Sequence, residues 1–389
     1  MNQQQIIPSR TVITSFSPAT SSTVENYDEG QYVLHVTTSP SNTLLSCALS
    51  NQLIQTYDRS TLKLLQKYQP HSNTITSVKY INDDVILSSS TDGTCKLYDC
   101  KSNSVISTLS LSKEEALTVD VGYNGVLAAV GGSSGNIHFY DLRNISNKMH
   151  PLGSYVDAHT DDVTHVKFQS MTSSLLATAS EDSLINVFDT SMPSEESALK
   201  SVMNTMAPLR QVGFFGPSQE GIFALTGSET LQVWHHDSCQ LISDFGDVRN
   251  HLSHLGHASI QYLVGCHWSN KNQELNLVAG NTEGDCLVYK VEANNIVAKQ
   301  KWNSGHKASI RSFVASDYNG NECFITAGED SRLCEWCVSG NGGSDVVGAN
   351  GIGGTGQETN TAAPTTRHAP KSGGGVIRRQ KKKKAHAPY

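Results

Sequence analysis

His159-Thr-Asp-Asp-Val-Thr-His-Val-Lys-Phe168, a polar turn, and Leu175-Leu-Ala-Thr-Ala-Ser-Glu-Asp-Ser-Leu-Ile-Asn-Val-Phe-Asp189 decide the fold. Three short runs carry the apolar and β-branched residues: Val163, Val166 and Phe168; Leu175 to Ala179; and Ile185 to Phe188. Polar residues bound each run, and Glu181-Asp182-Ser183 joins the last two as a hairpin turn would. The Ile-Asn-Val sequence at 185–187 favours strand over helix, because β-branched side chains lose χ1 freedom in a helix and pack well on a pleated surface. The unit closes on an aromatic followed by an acid, Phe188-Asp189.

The same ending recurs along the chain, as Tyr57-Asp58, Tyr98-Asp99, Tyr140-Asp141, Trp234-His235, Tyr289-Lys290 and Trp336-Cys337. Successive endings stand 41, 42, 48, 46, 55 and 47 residues apart. A turn rich in Gly or short polar residues precedes each third run, for instance Asp92-Gly93, Ser134-Gly135-Asn136 and Glu283-Gly284. A period of this length predicts one wheel of seven repeats over residues 32–337. The seventh unit has three runs where a blade needs four, and an unclosed wheel exposes strand edges. The β-patterned run Thr11-Val-Ile-Thr-Ser-Phe16 supplies the missing strand, so the folded domain is expected to cover residues 11–339. Residues 1–10 are expected to be unstructured. Residues 340–389, a Gly, Ser, Thr, Ala and Pro linker ending in a basic cluster, are expected to be disordered.

These units resemble the WD-repeat (WD40) family. Asp247-Val-Arg249, Gln261-Tyr-Leu-Val-Gly265, His306-Lys-Ala-Ser-Ile-Arg-Ser-Phe313 and the Lys/Arg-rich C-terminus are similar to one branch of it. The resemblance implies an all-β, seven-bladed WD40 β-propeller closed by the N-terminal strand, without enzymatic activity or cofactor, and acting as a scaffold for other proteins. It also implies a structural network in which a histidine, a strand hydroxyl, a turn aspartate and the closing aromatic bond to one another. The matching sets are His71, Ser88 and Asp92; His159, Thr178 and Asp182; and His306, Thr326, Asp330 and Trp336. Tyr98 and Phe188 stand where the first two sets would have Trp, so the indole donor is lost there and the network is shorter.

With 389 residues and 37% hydrophobic content the chain can build one large core. It has no run of 18 apolar residues, and its first residues lack the basic and apolar regions of a secretory leader, so neither membrane insertion nor secretion is expected. The nine scattered cysteines then read as reduced and mostly buried. Charge is uneven. The segment from Gly340 onward carries +6, which leaves the body at −13 within a whole-chain charge of −7. Arg378, Arg379, Lys381, Lys382, Lys383 and Lys384 form a nuclear-import candidate. Nucleic-acid contact is expected at most weakly, through that tail, and the location is expected to be nucleus, cytoplasm or both.

The sequence carries few groups arranged for chemistry. His251, His254 and His257 are metal ligands by type, but loop residues three apart do not fix a coordination geometry. Cys334 and Cys337 point to opposite faces of a strand and lack a second pair. The Gly-rich tail does not match a phosphate-binding loop. Recognition is therefore expected on loops. Arg210 and Arg311 hold matching positions in blades five and seven, as Thr76 and Thr164 do in blades two and four. They either anchor a partner carboxylate or form structural ion pairs, with Asp247 or another loop acid. Asp161, Asp162, Asp247 and Arg249 are further candidate partner-binding residues. Three functions follow: a protein-binding scaffold; a binder of basic nuclear proteins such as histones through the acidic body; and a metal protein or enzyme using the three histidines.

Overall fold

The computed structural model describes residues 4–6, 8–13, 31–111, 113–143, 145, 148–170, 173–254 and 260–337. Its strands form seven sheets, spanning 33–68, 75–110, 116–155, 163–204, 209–247, 262–302 and 310–337, here blades 1 to 7. The first strand of each blade lies against the first strands of its two neighbours, from Val33–Thr38 round to Ile310–Tyr318 and back, so the seven first strands ring a central channel. This is a seven-bladed β-propeller.

Apolar side chains fill the gaps between blades, one cluster to each gap. Between blades 3 and 4, for instance, Val163, Phe168, Leu176 and Phe188 meet Ala129, Phe139 and Tyr155. Each such large apolar side chain contributes on the order of 1.5–3 kcal/mol by leaving water. Second strands are covered on both faces. In Leu175–Ser180 and Val85–Ser90 every residue after the first is buried, so small and apolar residues run together there without alternating.

Seven aligned residues at the turn before each third strand have positive φ: Gln52, Gly93, Gly135, Ser183, Glu229, Gly284 and Ser331. Where the next blade presses on the turn, only glycine fits. A Cβ at Gly135 would lie 2.2 Å from the His159 carbonyl oxygen, and one at Gly284 2.5 Å from the His306 carbonyl.

The wheel is closed by the N-terminus, as the sequence predicts. Arg10–Ile13 runs antiparallel to Arg332–Cys337, with Arg10 opposite Glu335 and Ile13 opposite Arg332. The strand begins one residue before Thr11, and Thr14, Ser15 and Phe16 lie outside the described residues. Two expectations are corrected. Residues 1–10 are not without structure: Gln4–Ile6 adds a parallel fifth strand to Asn295–Trp302 on the rim of blade 6. A three-residue polar strand has no periodicity of its own and exists because an edge is there to receive it. Nor are all cysteines reduced. Cys323 and Cys337 stand opposite each other on neighbouring strands, with Cα atoms 4.2 Å apart, and form a disulfide. Strand register, not spacing in the sequence, brings them together.

Candidate partner-binding face

Each first strand contains one register shift next to the turn end of its blade. It falls at Leu34, Thr76, Leu117, Thr164, Arg210, Val264 and Arg311. Such a bulge re-aims the extra residue. The bulges lie on the face that also carries the turns between second and third strands, and there the side chains of Arg210 and Arg311 are exposed, whereas that of Val264 packs into the cluster between blades 6 and 7. The matching positions of Arg210 and Arg311 are thus two of seven bulge sites, and Thr76 and Thr164 are two more.

The histidine sets support this face from below. His71 reaches Ser88 Oγ at 2.8 Å and Asp92 at 3.0 Å; His159 reaches Thr178 Oγ1 at 2.8 Å and Asp182 at 3.0 Å. In blade 7 His306 reaches Thr326 at 2.7 Å and Asp330 at 3.0 Å, and the Trp336 indole N–H donates to the same Thr326 hydroxyl at 2.8 Å. The Tyr98 hydroxyl turns instead to Asn103, and Phe188 donates nothing. Each aspartate also accepts the backbone N–H that follows its histidine: Ser72, Thr160 and Lys307. Burial lowers the pKa of His71 and His159 more than their aspartates raise it. For His306 burial acts the same way, but the bond to Asp330 and the nearby Cys334 sulfur prevail and push it up to about 9. Blade 3 has no such histidine. Glu114 takes the place, bonding His138 Nε2 at 2.5 Å and accepting the Ser134 N–H at 3.2 Å, an inverted arrangement that a search for histidines misses.

Both arginines meet a glutamate of their own blade's turn. Arg311 Nε donates to Glu329 at 2.7 Å; Arg210 lies 3.9 Å from Glu229 and donates to the Leu263 carbonyl at 2.6 Å. Neither pairs with Asp247, which instead receives the Arg249 guanidinium on both oxygens at 2.9 and 2.8 Å. The arginine side chains keep 41% and 56% of their surface exposed. Glu229 and Glu329 stand at different places in their turns, Glu229 at the position that Ser331 holds in blade 7 and Glu329 two residues earlier, so the repeat alignment gave no signal for the pairing. Asp161 is exposed on the same face and Asp162 is half-buried beside it. Burial, then Asp161, Glu181 and Glu115, raises the Asp162 pKa, so four carboxylates converge at blades 3 and 4.

The three metal-candidate histidines do not lie in a plain loop. Val248–His254 is a short helix, on which His251 packs edge-on against Phe245. The side chain of His254 and all of His257 lie outside the described residues, as does the basic cluster Arg378–Lys384. Cys334 is a buried free thiol and Cys337 is in the disulfide, so the C-x-x-C is not a pair.

The chain matches the family model for the WD domain, G-beta repeat, over residues 62–99 and 150–189. It is 30% identical over 311 residues to the WD repeat-containing protein 89 homolog of Dictyostelium discoideum, covering 79% of this chain and 83% of that one. It is 26% identical over 302 residues to the histone acetyltransferase type B subunit 2 of Candida glabrata, covering 72% and 67%. Among solved structures, a chain of the mitotic checkpoint complex superposes with a TM-score of 0.66 at 16% identity, covering 87% of this chain and 94% of that one.

Proposed function

Because this chain belongs to the WD-repeat family, whose propellers generally serve as protein–protein interaction scaffolds, we propose that it is a non-enzymatic scaffold whose partner docks at the channel mouth. The carrying observation is the pair of bulge arginines, each half-exposed, Arg311 held by Glu329 and Arg210 by the Leu263 carbonyl and, more loosely, by Glu229. An exposed ion pair contributes about 0–1 kcal/mol, so a partner carboxylate can displace Glu229 or Glu329 at little cost and gain a bidentate contact. Asp161, Asp162, Asp247 and Arg249 extend the surface and set its selectivity. The test is affinity purification and mass spectrometry of the wild type against an Arg210→Ala/Arg311→Ala double variant of unchanged thermal stability. Loss of a partner is expected; an identical partner set sinks the assignment.

A second reading has the partner basic, as histones are. It draws on the four converging carboxylates, on the body charge of −13 and on the likeness to the Candida glabrata subunit. In either case the tail residues Arg378, Arg379 and Lys381 to Lys384 are proposed to direct nuclear import. Fusing residues 371–389 to a reporter and finding no nuclear accumulation rejects that role.

A further inference from the structure

Deeper in the channel, three residues past the bulge, blades 2, 3 and 4 carry Lys79, Asp120 and Lys167. Asp120 is buried, accepts the Phe168 N–H at 2.9 Å, and lies 3.1 Å from Lys167 Nζ and 3.7 Å from Lys79 Nζ. Two ammonium groups therefore share one carboxylate, and among the described residues no other carboxylate pairs with either. Burial, then the Lys167 charge, lowers the Lys79 pKa, while Asp120 raises it. Lys79 also lines a 430 Å³ cavity with His35, His165, Gln211, Arg210 and Arg311. Burial, and after it Lys79, holds His35 at about 4 and His165 at about 3, so both are neutral near pH 7 and the surplus charge belongs to the lysines. Nδ1 of His165 is buried with no protein partner.

We propose that the central channel binds a small phosphate-class oxyanion between Lys79 and Lys167. Such an anion supplies the charge the lysines lack and offers acceptors in several directions to compact ammonium donors, and a cavity of this size lies in the range of small-ligand sites. Asp120 keeps the two lysines close while the site is empty and weakens the anion by repulsion when it is filled. The lysines belong to blades 2 and 4 and the arginines of the proposed partner contact to blades 5 and 7, so substitutions test the two readings separately although Lys79 and the arginines line one cavity.

The full-length protein is titrated with inorganic pyrophosphate by isothermal calorimetry. One saturable site is expected. Asp120→Asn keeps the Phe168 bond, removes the competing charge, and tightens binding about tenfold. Lys79→Gln/Lys167→Gln combined with Asp120→Asn leaves no buried charge unpaired and abolishes the site. Because the basic tail also attracts polyanions, a full-length variant with Gln at 378, 379 and 381–384 is titrated in parallel, and it retains the site. Absence of saturable binding, indifference to Asp120→Asn, or loss of binding in the tail variant overturns the proposal.

Discussion

The Thr326 hydroxyl meets the His306 ring, the Trp336 indole N–H and the Cys334 carbonyl, whereas that of Thr178 meets only the His159 ring and the Asn186 carbonyl. Both hydroxyls are buried, so removing one leaves its partners unsatisfied at about 1–3 kcal/mol per group. Thr326→Val is therefore expected to cost more than Thr178→Val, by roughly 1–2 kcal/mol, in urea unfolding. The histidines also predict pH effects of opposite sign. A folded-state pKa above the unfolded 6.5 gives His306 a contribution that is full below pH 6.5 and lost as pH rises through about 9. The lowered values of His71 and His159 give contributions present above pH 6.5 and lost as pH falls through the depressed folded-state values. Wild type is expected to lose its stability advantage over His306→Gln between pH 6.5 and 9, measured by urea midpoints; a constant difference across that window contradicts the linkage.

At the scale of elements, the closing strand is held by more than its ladder. Arg10 and the fully buried Arg59 both bond Glu335, tying the N-terminus and blade 1 to the last strand of blade 7. Arg59 also donates to Asn42 at 2.8 Å and stacks 4.3 Å over the Tyr318 ring. Deleting residues 1–17 is expected to lower the thermal midpoint sharply, since it opens the wheel and exposes the edge of Arg332–Cys337; an unchanged midpoint rules out the closure. Glu335→Gln leaves the Arg59 guanidinium buried without a counter-charge and is expected to cost about 3–5 kcal/mol. Arg10→Gln, at a half-exposed position, is expected to cost about 1 kcal/mol or less. Chemical denaturation of the two variants checks this order.

At the scale of the molecule, an acidic body attracts basic partners over distances that salt screens. If the partner is a basic protein, its association rate with this chain falls steeply, by about tenfold or more, between 0.05 and 0.5 M salt. A flat dependence favours the reading in which the arginines of the mouth bind a carboxylate. Asp161→Asn/Asp162→Asn separates the two further, since it weakens a basic partner strongly but leaves the arginine contacts to a carboxylate in place. The opposed charges of mouth, acid cluster and channel are a whole-molecule property: residues 88 positions apart, such as Lys79 and Lys167, act together only because the wheel brings their blades to one centre.

The repeat of aromatic endings and turns determined the propeller, its seven blades and the need for a closing strand, because every blade must bury both faces against its neighbours and the apolar pattern records that demand locally. The histidine, hydroxyl and aspartate sets were legible for the same reason: their spacing is internal to one blade. Three things were decided only in three dimensions. The bulges that turn Arg210 and Arg311 to the mouth are shifts of register, and a single strand read alone has no register. The Glu335 network and the Cys323–Cys337 disulfide depend on which residues stand opposite each other once strands pair. Lys79, Asp120 and Lys167 look like ordinary charged positions in separate repeats until ring closure sets them at one level of the channel, where the burial of Asp120 and its nearness to both lysines give them their chemistry.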